Sequence, residues 1–182
     1  VKINDTGIIQ WQKSLGGSGW DEAWAVQTTT DGGYIVAGRS ASQNGDITEN
    51  HGGLDYWIVK LNNIGTIEWQ KSLGGSAEDD AYAVKQTSDG GYIIAGESLS
   101  QNGDVTNNHG DADYWVVKLN ASGNLEWQKS LGGSGLDRAN DITQADDGGF
   151  VVIGHTSSNN GDVEVHYSGF DIWAVKMNAS GE

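Results

Sequence analysis

At 182 residues the chain is long enough for one domain that buries roughly 70% of the surface its unfolded form exposes. Twenty-eight glycines, eight tryptophans and six tyrosines, with no proline or cysteine, suit short strands joined by tight turns, and they exclude disulfides, thiolate metal centres and cysteine nucleophiles. A formal charge of −15 with only two arginines, Arg39 and Arg138, argues against nucleic acid and anionic membrane surfaces as partners, and no apolar run is long enough to enter a bilayer as a helix.

The chain opens at Val1-Lys2-Ile3-Asn4, in the middle of a motif, and so reads as a segment of something larger. Ile8 to Leu15 is an orphan strand that carries the first copy of Trp11-Gln12-Lys13-Ser14-Leu15-Gly16-Gly17-Ser18. The same eight residues return at Trp69 and Trp127, a period of 58. Asp-Gly-Gly-[Tyr/Phe] at Asp31, Asp89 and Asp147 keeps this register, as does Asn-Gly-Asp at Asn44, Asn102 and Asn160.

In the middle copy, Ala81 to Thr87 and Tyr92 to Ser98 flank Ser-Asp-Gly-Gly and predict a first hairpin. Ser100 to Ala112 is a polar connection of about a dozen residues. Asp113 to Leu119 and Asn124 to Leu131 flank Asn-Ala-Ser-Gly and predict a second hairpin, closed by an Asx turn and a glycine with positive φ. The chain ends just after an orphan third strand, Asp171 to Met177. The reading is all-β: a β-propeller with four-stranded antiparallel blades, three blades per chain, and an outer strand offset between the N- and C-termini. It forms one repeat domain over 1–182, with units of about 8–65, 66–123 and 124–182, and residues 1–16 supply the strand that completes a last blade. A β-trefoil-like glycan-binding lectin is the architectural rival, because three four-stranded repeats close it without a partner. Trp11, Trp69 and Trp127 on the fourth strand and Trp57, Trp115 and Trp173 on the third are expected to pack between blades.

Taken together, W-Q-K-S-L-G-G-S, D-x-A, D-G-G-[YF], N-G-D and D-x-W resemble the long tandem repeats of bacterial and archaeal secreted or surface proteins assigned to β-propellers. Asn120-Ala-Ser-Gly123 with Glu126-Trp127 is similar to the turn-plus-Trp motif of quinoprotein-type blades, in which Gly closes the outer hairpin and Trp docks between blades. The acidic residue departs from that motif, so no quinone chemistry is implied. The resemblance implies an extracellular or cell-surface setting.

In a propeller, the connection between blades and the connection from strand two to strand three emerge together. Asp21, Asp79 and Asp137 are therefore expected beside the loops of Asp46, Asp104 and Asp162. With Asp111 and Asp113, the loop aspartates are candidates for a structural Ca²⁺ site, since hard cations take several oxygens. The alternative for all of them is Asx turns and strand caps. No loop has the spaced EF-hand pattern, and His51, His109, His155 and His166 do not recur as a three-His set. Trp20 and Trp24 lie outside the repeat pattern and are, with Asp21, Asp79 and Asp137, the candidate ligand-binding residues, with a glycan or a protein as ligand.

Catalysis is not expected. Glu78-Asp79-Asp80 run along one strand rather than across a cleft, and most polar residues recur with the blade. The expected function is a non-catalytic binding or interaction module, its ring completed by a second chain to give six blades or by further blades of a longer chain. A purely structural spacer, filament or assembly unit is the alternative.

Overall fold

The computed structural model describes residues 1–182 and contains strands, turns and no helix. A short hairpin of β1 (Lys2–Ile3) and β2 (Ile9–Trp11) precedes a four-stranded sheet of β3 (Asp21–Thr28), β4 (Tyr34–Ser40), β5 (Asp55–Leu61) and β6 (Ile67–Leu73). A second four-stranded sheet follows, of β7 (Asp79–Gln86), β8 (Tyr92–Ser98), β9 (Asp113–Leu119) and β10 (Leu125–Leu131). The last sheet has three strands, β11 (Asp137–Gln144), β12 (Phe150–Thr156) and β13 (Asp171–Met177). Within each sheet the strands pair antiparallel in sequence order.

The expected count of three four-stranded blades is therefore corrected. Two sheets are complete, one has three strands and one has two. The cause is topological: the residues that match a fourth strand for β11–β13 lie at the other end of the stack, where β2 packs on the first sheet. No closed ring forms within the chain. The repeats do not pool their strands into a single barrel; each four-stranded unit is a separate sheet.

The two predicted hairpins form as local chemistry dictates. Asn120 Oδ1 accepts from the Ser122 and Asn124 amides at 2.9 and 3.0 Å, and Gly123 takes φ 78°. At the other hairpin, Asp89 Oδ1 accepts from the Thr87 hydroxyl at 2.5 Å and from the Gly91 amide at 2.9 Å. Asp89 Oδ2 accepts from the buried Lys118 ammonium at 2.9 Å. Partial burial works against the Asp89 charge, but the Thr87, Lys118 and Gly91 donors outweigh it and hold the carboxyl at about 2.

All seven residues of β5 and of β9 are buried, because both faces of each sheet interior are covered. Alternation sends Tyr56 and Ile58 toward the second sheet, where they join Ile94, Trp115, Val117 and Leu119. Tyr114 and Val116 point the other way, to Ile142, Phe150 and Val152. Tyr56 donates to the Trp115 carbonyl at 2.9 Å, and its ring lies 4.5 Å from the Trp115 ring. Tyr114 repeats both contacts on Trp173 at 3.0 and 4.7 Å. Each sheet pair thus combines apolar burial with a buried tyrosine hydrogen bond that helps fix how one sheet sits on the next.

Trp11, Trp69 and Trp127 take one common position, 5.6, 5.5 and 5.8 Å from Tyr34, Tyr92 and Phe150 of the following sheet. Trp69 also lies over the turn glycine Gly123. Between sheets the contacts concentrate on first and second strands, β4 with β7, β8 with β11, β3 with β7 and β7 with β11. The sheets therefore fan out, with first strands at the converging edge and fourth strands at the splayed edge.

Candidate functional site

At the converging edge the three first strands break register at the same place. Pairing slips between Ala23 and Ala25, between Ala81 and Ala83, and between Ala139 and Asp141. Trp24, Tyr82 and Asn140 are the bulged residues. A bulge bends the strand and re-aims its extra side chain. The partner strand must supply a residue without a side chain here: a Cβ on Gly38, Gly96 or Gly154 would overlap the carbonyl oxygen of Glu22, Asp80 or Arg138.

Around the first two bulges the repeat gives way to a continuous polar and aromatic cluster. Arg39 donates from Nε to Glu22 Oε2 at 2.9 Å and from Nη1 to Asp80 Oδ2 at 3.0 Å. Its guanidinium carbon lies 4.8 Å from the Trp24 ring centre and 5.6 Å from that of Trp20. Trp24 rests on Tyr82 at 4.7 Å. The single Tyr82 hydroxyl proton is within reach of Glu97 Oε1 at 2.9 Å and Asp80 Oδ2 at 3.1 Å. Arg138 closes the row on Glu97, with Nε to Oε2 at 2.9 Å, and stands 5.2 Å from the Tyr82 ring.

Arg39 and Arg138 thus pair with carboxylates at either end of the row, and the Tyr82 hydroxyl stands between the like-charged Asp80 and Glu97. Burial, followed by the neighbouring Glu97 and Asp80 charges, drives the Tyr82 hydroxyl well above its ordinary value, so it stays a donor. Burial also pushes Asp80 up, against the opposing pull of Arg39. Trp20 and Trp24 remain 62% and 40% exposed. Trp20 has the Arg39 cation over its ring and is the more exposed, whereas the Trp24 ring is contacted by both Arg39 and Tyr82. A planar apolar ligand face could therefore stack on Trp20 and reach the exposed part of Trp24, with Glu22 and Arg39 at its rim.

The aspartates expected on the loop face are gathered there, but as internal acceptors. Asp79 is fully buried: Oδ2 accepts from Gly75 N at 2.8 Å and Ser100 Oγ at 2.9 Å, and Oδ1 accepts from Ser98 Oγ. Asp137 is fully buried with the same partners one repeat on, Gly133 N, Ser158 and Thr156. The partly buried Asp21 uses Gly17 N, Ser40 and Ser42. Asp46, Asp104 and Asp162 accept from Gly16, Gly74 and Gly132 amides at 3.0, 3.2 and 3.1 Å, tying the strand-two-to-three loop to the turn between sheets. Asp111 is exposed, and its backbone carbonyl accepts from Asn108.

Asp113 is fully buried at the start of β9, with Oδ2 held by the His109 amide at 2.8 Å and by His109 Nδ1 at 2.6 Å. Asp55 repeats this on His51. The other oxygen of each, Oδ1, is buried without a hydrogen-bond partner. Asp55 Oδ1 and Asp79 Oδ2 flank Gly74, 2.9 and 2.5 Å from where a Cβ would stand. Burial pushes Asp55 above its usual value. Asp79 rises to about 6, through burial and through Asp55, against the pull of its Ser98, Gly75 and Ser100 donors. No group of three or more His, Cys, Asp and Glu side chains is placed to hold a metal ion.

The structure thus separates the sequence-derived candidates into two places, the exposed Trp20 and Trp24 at the bulged edge and the aspartates inside the turns. Sequence reasoning does not single out Glu22, Asp80, Tyr82, Glu97 and Arg138. A signal for them exists: D-x-A at the start of the first strand, with an interior glycine on the second, marks a bulge. No protein-family model matches the chain, and no curated protein matches it.

Proposed function

We propose that the four-stranded sheets are blades of a β-propeller and that the chain is a non-catalytic binding module whose ligand stacks on Trp20 and Trp24. The observation that carries this is two exposed indoles held by one arginine at a bulge, in a region where the repeats differ in side-chain chemistry. Position 20 is Trp where the next copies have Glu78 and Leu136, and position 39 is Arg where they have Glu97 and His155. The fanned sheets support the blade reading. The resemblance to secreted tandem-repeat proteins points to an extracellular or surface setting.

A sugar ring suits this edge, since its C–H face packs on an indole and its hydroxyls reach Glu22 and Arg39. The polar groups elsewhere at the edge are committed to one another, which leaves no free acid–base pair and favours binding over chemistry. Glycan-array screening followed by tryptophan-fluorescence titration tests the proposal. Trp20→Ala is expected to abolish binding with an unchanged melt, because Trp20 is mostly exposed. A glycan bound equally by Trp20→Ala and Trp24→Ala, or no glycan bound at all, would overturn it. The second reading, an assembly unit, is favoured by the bare outer face of the last sheet.

A further inference from the structure

The two ends of the stack are the two halves of the interface that already occurs twice inside it. On the last sheet Ile172 is 89% exposed, yet it stands where Tyr56 and Tyr114 are fully covered by the next sheet. Ile153 occupies the position of Ala37 and Ala95, both fully buried. On the first sheet Val26 is 69% exposed at the position of Val84 and Ile142, which are buried. A chain that exposes both halves of one repeating apolar contact carries complementary docking faces.

The missing strand gives a second, independent indication. Gln70, Lys71, Ser72 and Leu73 pair with Val59, Ile58, Trp57 and Tyr56 on β5, and the second sheet repeats that register. Their counterparts Gln12, Lys13, Ser14 and Leu15 pair with nothing, while β13 presents a bare edge of Val175, Ala174, Trp173 and Ile172. Trp57 Nε1 donates to Gln70 at 3.0 Å and Trp115 Nε1 to Gln128 at 2.8 Å. Trp173 has the same indole and no glutamine. Beside β13 lies a groove of about 500 Å³ lined by Leu131, Val163, Val165, Trp173 and Val175. Beside the first sheet lies one of about 400 Å³ lined by Leu15, Val26, Tyr34 and Val36.

We infer that a second copy of this chain docks head to tail on these faces, its Gln12–Leu15 segment becoming the fourth strand beside β13. The partner's Gln12 then accepts from Trp173 Nε1. The partner's first sheet covers Ile153 and Ile172. The partner's Glu22 meets His155, as Asp80 meets Arg39 and Arg138 meets Glu97 at the two internal junctions. Residues Val1–Ile8 repeat the register of Val175–Glu182, so β1 gives way to β13 of the other copy. It holds only two residues, and Val1 and Ile3 are mostly exposed.

The same junction at both ends closes two copies into six blades, within the roughly four to eight that propellers use. This rests on the blade reading proposed above, and not on the glycan site.

Light scattering across a concentration series is the test. Twice the 19.3 kDa chain mass is expected. Ile172→Asp and Val26→Asp should each weaken association more than about tenfold, since each buries an unpaired carboxylate at the junction. Both positions are exposed in the single chain, so both variants should melt as it does. Ile172→Tyr restores the hydroxyl that Tyr56 and Tyr114 donate across the internal junctions and should tighten association about fivefold. A mass of one chain throughout, growth beyond two copies, or a dimer indifferent to all three substitutions would each overturn the inference. Glycan binding retained by a monomer would leave the binding site standing and sink only this pairing.

Discussion

Asp79→Asn should make the protein less dependent on pH and no less stable at neutrality. Asp79 lies fully buried beside Asp55, and its folded pKa is about 6 against an ordinary 3.8. A raised carboxyl pKa means that the fold holds the proton more tightly than the unfolded chain does. The penalty for ionising Asp79 is therefore absent below pH 3.8, grows as pH rises to 6, and is complete above that. A shift of about two units corresponds to about 2 to 3 kcal/mol. Asparagine removes the penalty and keeps the contacts, because its oxygen accepts from Gly75 N while its amide donates to Ser98 Oγ, a hydroxyl that can also accept. Urea unfolding at fixed ionic strength from about pH 4.5 to 7.5, a range that spans the folded value, is the assay. The native chain should lose about 2 kcal/mol across that range, and the Asn variant less than half of this. A native profile that is flat or rises with pH, or an Asn variant with an undiminished slope, would refute the buried-pair reasoning. High salt separates this effect from general repulsion at a net charge of −15, which salt screens.

Tyr56→Phe and Tyr114→Phe should each cost about 1 kcal/mol by chemical denaturation, the net worth of one buried hydrogen bond across a sheet junction; equal stability would show the hydroxyls to be idle. Gly96→Ala should cost at least about 2 kcal/mol, since the methyl overlaps the Asp80 carbonyl and the bulge must shift, and wild-type stability would remove the bulge argument. At strongly acidic pH a separate loss should appear as pH falls through about 2, where Asp89 takes up its proton and releases Lys118. Asp89→Asn should flatten that limb of an acid titration followed by circular dichroism.

Much of the fold is readable before any coordinates. Period and turn chemistry are local, and the strands Tyr92–Ser98 and Asp113–Leu119 fall where alternation and the Asp-Gly and Asn-Ala-Ser-Gly turns put them. The count of blades is not local. A period of 58 sets the length of the repeat but leaves open which four consecutive strands share a sheet, and so whether the chain's own ends can complete one another.

The candidate site divides in the same way. Trp20 and Trp24 stand out because they break the repeat, and they are exposed. Asp79, Asp137 and Asp113 lie beside the loops of Asp104 and Asp162, as chain order implies, but burial depends on the neighbouring sheet. Asp79, a candidate ligand-binding residue by its position beside the loop, is fully covered once Ser98, Ser100 and Gly75 close on it. Tyr82, Glu97 and Arg138 are obscured for the opposite reason: nothing in the chain order links them, and only the packing of one sheet on the next brings them into one row.

In the pairing proposed above, the first and last sheets of the stack cover each other. Amide hydrogen exchange of Gln12–Leu15 and Asp171–Val175, followed against protein concentration, tests this most directly. The Gln12–Leu15 amides and the β13 amides that point away from β12 should become protected together as concentration rises, at a midpoint that Ile172→Asp moves upward, while β9 stays protected throughout. Fast exchange of those amides at every concentration would contradict it.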